Sequence, residues 1–147
     1  MKTHILVYCS IAVKGLTFHD LEHLATRAQV YNLRNDITGM LLYSGDNFIQ
    51  ALEGRLPALE LLMEKIVVDE RHHQFERLLC APIVQRRFGR WALGVLDASE
   101  SADLDRDKLR FICGQAEADP ASASRAALTA LKIFRKDLGR SGVQKAA

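Results

Sequence analysis

The chain has 147 residues, with 20 Lys and Arg against 18 Asp and Glu, a formal net charge of +2, and 48% hydrophobic residues. This length favours one domain with a single buried core. The small charge does not indicate a nucleic-acid partner, and no apolar run approaches the ~20 residues that a membrane span needs, so we expect neither nucleic acid nor membrane as a partner.

The cysteine pattern and the first residues indicate the compartment. Cys9, Cys80 and Cys113 are an odd number at wide spacing, which argues against a disulfide framework and fits a reducing environment. The charged positions Lys2 and His4 lead directly into a strand pattern rather than into the apolar region of a signal peptide. We therefore expect a cytoplasmic protein.

The first two elements are a buried strand and an amphipathic helix. Residues 4–10 are apolar on both alternating faces, which predicts a strand inside its sheet. Thr17 is a candidate N-cap because Asp20 follows three residues later. The helix that begins there has one apolar face and should end near Asn32; the face consists of Leu21, Leu24, Ala25 and Ala28.

A strand pair and a second helix follow. Residues 37–43 and 48–53 have strand patterns, and the small and polar residues 44–47 between them suit a hairpin turn. Pro57 marks the start of the second helix, which should end around Val68.

Two more strand candidates, residues 75–85 and 91–97, complete the order βαββαββ. We predict an α+β, ferredoxin-like fold in which residues 1–97 form an antiparallel sheet with two helices on one face. Two helix patterns between residues 98 and 138 should cap the other face of the same domain, and residues 139–147 should form a flexible tail.

Gln50 is the first candidate functional residue. It lies between Phe48 and Leu52 on one face of a predicted strand, and burying an amide without a hydrogen bond costs roughly 2–7 kcal/mol. If Tyr8 faces the same layer, a planar ligand between the helices would meet its hydroxyl and the Gln50 amide together. In the alternative, Tyr8 is a core aromatic residue and Gln50 binds backbone.

Other groups of polar residues in the sequence do not indicate a specific site. His19 and His23 have metal-ligand spacing on a helix, but no further ligand motif completes them, so we predict no metal site and assign them to a solvated face. Arg86, Arg87 and Arg90 form a basic cluster that could serve as a partner surface. Dinucleotide, P-loop and hydrolase motifs are absent from the sequence.

A series of motifs in fixed order carries a family resemblance. The chain resembles the BLUF domain, a blue-light sensor that uses FAD, over about residues 4–96. The matching residues are Tyr8-Cys9-Ser10, Asn32, Ile37-Thr38-Gly39, Phe48-x-Gln50-x-Leu52-Glu53-Gly54, Asp69-Glu70-Arg71-His72, Arg87-Phe88 and Trp91.

The resemblance implies a noncovalent FAD, with FMN or riboflavin as alternatives, and a photoactive pair. Tyr8 would pass an electron and a proton to the excited flavin. Gln50 would then rearrange and form a new hydrogen bond to a flavin carbonyl, which shifts the absorption to the red. Asn32 would hold the polar edge of the flavin, although it also suits a plain helix end.

Further residues acquire roles from the same resemblance. Asp69, Arg71 and His72 would lie near the dimethylbenzene side and the ribityl chain, the alternative being a solvated turn, and Lys65 would contact the side of the flavin. Ser10, Trp91 and Leu93 would couple the flavin to the rest of the protein, the alternative for Trp91 being a surface anchor on the fifth strand.

The chain also departs from the family pattern at three positions. Lys65 stands where many relatives have arginine, Tyr31 where some have asparagine, and Leu93 where methionine is common.

Two classes of function remain at this stage. The first is a photoreceptor, not an enzyme, that signals to an unidentified downstream protein; no effector domain is evident in the chain, and we expect a homo-oligomer. The second is a ferredoxin-like module that binds a small ligand, or an enzyme, without photochemistry.

Overall fold

The computed structural model describes residues 2–43, 47–89, 92–97, 125 and 127–129. Within them the elements are β1 (Thr3–Ala12), α1 (Phe18–Arg34), β2 (Thr38–Tyr43), β3 (Asn47–Arg55), α2 (Leu56–Val67), β4 (His72–Ile83) and β5 (Gly94–Asp97). This order confirms the predicted βαββαββ arrangement and the ferredoxin-like fold.

The five strands form one sheet in the order β4-β1-β3-β2-β5. Strand β1 pairs with β3 and β4, and β2 pairs with β3, all antiparallel, whereas β5 pairs with β2 in parallel. The expectation of a wholly antiparallel sheet is therefore wrong. The chain leaves β4 at one edge, crosses one end of the sheet, and enters β5 at the opposite edge in the direction of β2. Strand β5 begins at Gly94, later in the sequence than the predicted start at residue 91, because the chain must first cross the sheet.

Both helices pack on the same face of the sheet, as predicted. Side chains of β1 and β3 alternate, so Leu6 and Tyr8 share a face with Gln50 and Leu52 across the pairing. Helix α1 packs on this face with Leu21 and Ala25 against Leu41, Tyr43 and Phe48. Helix α2 packs beside it with Leu59, Leu62 and Met63 against Leu6, Tyr8 and Leu52.

The opposite face of the sheet is buried as well. Its buried side chains include Ile5, Val7, Met40, Ile49 and Ala51. Residues 125 and 127–129 are helical, and Ala127 is fully buried. The remainder of the predicted helical cap, the tail from residue 139 and the turn at residues 44–46 lie outside the described residues, and these assignments remain predictions.

Local signals set the helix ends. The Oγ1 of Thr17 accepts a hydrogen bond from the Asp20 N–H (3.1 Å), and the Asp20 carboxylate accepts one from the Thr17 N–H (3.0 Å). These reciprocal bonds confirm the predicted N-cap of α1. The helix ends at Arg34, slightly beyond Asn32, and α2 has its proline in the first turn and Val68 as C-cap. None of the described helices is long and apolar enough to cross a membrane.

Gly39 lies where two strands approach too closely for a side chain. A Cβ atom built at this residue would overlap the carbonyl oxygen of Ala51 and approach Leu52 Cδ2 to 3.2 Å. The oxygen belongs to the sheet backbone of β3, so it cannot move aside without breaking strand pairing.

Substituting Gly39→Ala should therefore lower the free energy of unfolding by at least about 1–3 kcal/mol, the usual cost of overpacking. The matched control is Gly89→Ala, because the nearest neighbour of a Cβ there is Arg86 Cβ at 3.4 Å. Urea denaturation monitored by circular dichroism measures both variants. Equal unfolding free energies for the two would contradict the close approach.

Candidate functional site

A cavity lies between α1 and α2 above the middle of the sheet. Its volume is about 260 Å³, slightly below the about 300–1,000 Å³ that is common for small-molecule pockets. The floor includes Tyr8, Leu41 and Gln50 from the strands. Its apolar walls include Leu21, Leu24, Leu62, Ile66 and Leu93. The cavity is thus a mostly apolar slot with a polar pair in its floor.

The polar pair is formed by Tyr8 and Gln50. The two residues are direct partners in the β1–β3 register, and both side chains are buried, with exposures of 4% and 6%. The Tyr8 hydroxyl donates a hydrogen bond to Oε1 of Gln50. Because this bond uses the Gln50 oxygen, the Gln50 amide presents its two N–H donors to other groups.

The Tyr8 hydroxyl remains protonated at physiological pH. Burial raises the pKa of Tyr8 far above its usual value, and the negative charge of Asp69 raises it further. The phenol ring lies against Phe75, with ring centroids 4.6 Å apart. Tyr8 is therefore a neutral hydrogen-bond donor with a defined partner.

Asn32 contributes an unmatched acceptor to the wall of the slot. Its Nδ2 donates to the Ala92 carbonyl oxygen over 2.7 Å, and the side chain is only 1% exposed. Its buried Oδ1 has no hydrogen-bond partner among the residues that the structure describes. Leaving such an atom unsatisfied costs about 1–3 kcal/mol, so a ligand N–H at this wall would stabilise the site.

Gln29 adds a second amide that binds the start of β5. Its Nε2 donates to the Leu93 carbonyl oxygen over 2.9 Å, and Leu93 is fully buried in the wall of the slot. Sequence reasoning missed Gln29. Its position three residues before Asn32 places both amides on one side of α1, which is the signal that could have identified it.

One side of the slot opens towards a charged rim. A neighbouring cavity of about 430 Å³ shares Leu16, Asp20, Leu24, Arg27 and Arg71 with the slot. Arg71 is held there by Asp69, which accepts hydrogen bonds of 2.9 Å from the Arg71 backbone N–H, Nε and Nη2. Partial burial opposes ionisation of Asp69, but these bonds and the Arg71 charge hold its pKa below the usual value.

His72 links three elements at the edge of the slot. Its Nε2 lies 2.6 Å from the Ile66 carbonyl oxygen, which can only accept, so we assign the proton to Nε2. In the neutral ring, Nδ1 then accepts from the Ser10 hydroxyl over 2.7 Å. The structure thus places both residues beside Tyr8, with their polar atoms bonded to each other and to the end of α2.

Lys65 and Tyr31, two departures from the family pattern, contact one another. The Lys65 Nζ lies 4.3 Å from the centroid of the Tyr31 ring, a cation–π distance, and both residues line the slot. The structure therefore brings together all predicted site residues except Trp91, which lies outside the described residues.

Two other sequence features are resolved differently. His19 and His23 lie on the exposed surface of α1 with their Nε2 atoms 3.2 Å apart, as expected for a solvated face. Arg86 does not present a free basic surface, because its guanidinium donates to the Asp36 carbonyl oxygen (2.8 Å) and to Thr38 Oγ1 (3.0 Å). Local sequence gave no sign of these distant partners.

Comparison with known proteins identifies similar chains. "Blue light- and temperature-regulated antirepressor BluF" of Escherichia coli (strain K12) is 34% identical over 77 residues, which are 52% of this chain and 19% of that protein. "Photoactivated adenylate cyclase subunit alpha" of Euglena gracilis is 40% identical over 73 residues, 48% of this chain and 7% of that protein. The similarity thus spans a small part of each of these relatives.

A solved structure is similar over nearly its whole length. "BlrB - a BLUF protein, dark state structure" superimposes with a TM-score of 0.72 and 28% identity, covering 88% of this chain and 96% of that one. The sequence profile of the BLUF family, "Sensors of blue-light using FAD", matches residues 4–94. The slot and its Tyr8–Gln50 floor lie within this matched region, and the chain belongs to the BLUF family of blue-light sensors that use FAD.

Proposed function

We propose that this chain is a blue-light sensor that binds the ring system of FAD between α1 and α2 and uses Tyr8 and Gln50 as its photoactive pair. The observation that carries the proposal is the hydrogen bond from Tyr8 to Gln50 in the floor of the slot. It joins an oxidisable phenol to an amide that can donate or accept, in a cavity otherwise lined mainly by apolar side chains.

The residues of the slot fit an isoalloxazine ring. Its polar edge alternates carbonyl groups with an imide N–H, so it offers the donor that the buried Asn32 Oδ1 requires. The N–H donors of Gln50 match its carbonyl and ring-nitrogen acceptors, and the aliphatic walls match its apolar ring faces.

The charged rim suits the remainder of the cofactor. Arg27 and Arg71 line both the slot and the neighbouring cavity, and arginine is a preferred partner of phosphate groups. We assign the ribityl chain to the side of Asp69, Arg71 and His72, and the ring face near α2 to Lys65. FMN and riboflavin share this ring, so the slot accommodates them by the same contacts.

The chemistry divides between cofactor and chain. Bound flavin supplies the absorption of blue light and, once excited, an acceptor for one electron. Tyr8 is neutral and already bonded to Gln50, so when the phenol loses an electron its proton could pass to Gln50 Oε1 while a Gln50 N–H gives a proton to the ring, which leaves Gln50 neutral and lets the proton follow the electron. Rearrangement of the Gln50 amide then exchanges donor and acceptor at the slot and changes the hydrogen bonds offered to the ring.

The signal leaves the slot through β5. Leu93 lines the slot, and the carbonyls of Ala92 and Leu93 bind Asn32 and Gln29 of α1, so a rearrangement at Gln50 alters the packing of this strand. Ser10 and His72 form a second connection, towards α2. Trp91 is proposed to take part. The output passes to an unidentified separate protein or through self-association of the chain into a homo-oligomer.

Spectroscopy of the purified protein tests this function. We expect a yellow protein whose flavin band shifts to the red under blue light and returns in darkness. A protein that binds none of FAD, FMN and riboflavin would overturn the proposal. A stably bound flavin without a reversible shift would instead favour a ligand-binding role without photochemistry.

Replacing Tyr8→Phe should preserve flavin binding and abolish the red shift, because the variant loses one hydroxyl and almost no volume. Tyr43→Phe is the matched control, since that buried hydroxyl on the same sheet face donates to the Leu16 carbonyl (2.8 Å) and not to Gln50. Light-minus-dark difference spectra compare the two. An undiminished shift in the Tyr8 variant would remove this residue from its assigned role.

Replacing Asn32→Ala should weaken flavin binding about tenfold or more, since it removes a buried acceptor from the slot and leaves the Ala92 carbonyl unpaired. Asn35→Ala serves as control, because Asn35 lies on the same helix end but its exposed Nδ2 bonds the Tyr31 carbonyl. Fluorescence titration measures both dissociation constants. Equal affinities would mean that Asn32 does not hold the ring.

A further inference from the structure

Glu53 is a fully buried carboxylate that the proposed photochemistry does not use. It projects from β3 to the face opposite Gln50 and has an exposure of 0%. Its Oε2 accepts from the Arg87 backbone N–H (2.6 Å), and its Oε1 accepts from the Phe88 backbone N–H (2.9 Å) and from Thr38 Oγ1 (3.0 Å). Both carboxylate oxygens are therefore occupied by donors.

Arg86 extends these contacts into what we call the Glu53 network: Glu53, Thr38, Arg86 and Asp36. The Arg86 Nη1 donates to Thr38 Oγ1 (3.0 Å) and lies 3.4 Å from the Glu53 carbonyl oxygen. Its Nη2 donates to the Asp36 carbonyl oxygen (2.8 Å) and carboxylate (3.1 Å). The network binds residues 86–88 to the end of β3 and the start of β2.

Residues 86–88, which the network binds, belong to the connection between β4 and β5. The connection from Ile83 to Gly94 crosses from one edge of the sheet to the other, four strand spacings or about 19 Å. Glu53, on the central strand β3, binds this connection through the backbone N–H groups of Arg87 and Phe88. Four positions after Phe88 the same connection reaches Ala92, whose carbonyl binds Asn32 in the slot.

We propose that Glu53 is a positioning residue that fixes the connection between β4 and β5, and thereby sets the Ala92 and Leu93 carbonyls against Asn32 and Gln29. The connection is then anchored at both ends, by the network on one face of the sheet and by α1 on the other. The photochemical part of this inference rests on the proposed function.

The chemistry of the carboxylate makes this role specific. A carboxylate can only accept hydrogen bonds, and here the two consecutive backbone N–H groups of Arg87 and Phe88 donate to different oxygens of Glu53. Glutamine at this position retains the shape but turns an NH₂ group towards one of the N–H donors. In Glu53→Gln, the side-chain NH₂ group therefore faces a backbone N–H group in a buried place, donor against donor. We expect the connection between β4 and β5 to shift so that the two donors separate.

The test compares Glu53→Gln with Glu64→Gln, an exposed glutamate of α2 that undergoes the same chemical change. In flavin-loaded protein we expect the amides of residues 92–97 to exchange hydrogen about tenfold faster in the Glu53 variant, with the amides of Val7 and Ala51 unchanged. Its flavin should also bind more weakly, and its dark recovery rate should differ at least threefold from that of the parent.

If Glu53→Gln does not fold, a second variant, Thr38→Val, tests the same proposal. Thr38→Val removes one donor to Glu53 and one acceptor of Arg86 Nη1, but it leaves the backbone N–H groups of residues 87 and 88 paired, so it should give smaller changes in the same direction. Faster exchange throughout the sheet with unaltered flavin affinity and recovery would show a merely structural role and overturn the proposal. Absence of photochemistry in the parent would reject the proposed function alone, because local exchange and flavin affinity would still decide the role of Glu53.

Discussion

The hydrogen bond between the Tyr8 phenol and the Gln50 carboxamide is the constraint on which the site depends. Both groups are buried among apolar side chains, where an unpaired polar group costs about 1–3 kcal/mol. The antiparallel register of β1 and β3 places them directly opposite each other, so each satisfies part of the other's demand. Because this bond occupies the Gln50 oxygen, the NH₂ group of the amide is the part that Gln50 presents to other groups at the floor of the slot.

One residue of the slot wall, Leu93, directly precedes the short strand β5. Strand β5 has only four residues and lies at the edge of the sheet, where β2 is its one paired neighbour among the strands that the structure describes. Short edge elements with few backbone partners open at a lower free energy than the strands inside a sheet. The hydrogen bonds from Gln29 and Asn32 to the carbonyls of Leu93 and Ala92 therefore help to fix the position of β5. Both bonds come from α1, which also forms one wall of the slot.

Sequence was informative wherever the determining interaction is local. The capping box at Thr17 and the alternation around Gln50 predicted an element start and a shared sheet face. Features that depend on distant residues were not predictable: the partner of Asn32 lies 60 residues away, and Arg86 binds Asp36 across 50 residues. The parallel entry of β5 likewise follows from the path of the whole chain across the sheet rather than from any pattern within the strand.

Strand β3 occupies the centre of the sheet, and among its polar side chains Gln50 and Glu53 lie on opposite faces and differ in chemistry. Gln50 faces the slot with a carboxamide, which exchanges donor for acceptor by a rearrangement in place. Glu53 faces the other side with a carboxylate, which can only accept and so keeps its backbone partners in one arrangement. Under the proposed function these two properties are complementary: Gln50 is the group that changes its hydrogen bonds, and Glu53 is the group that holds the connection to β5 in place.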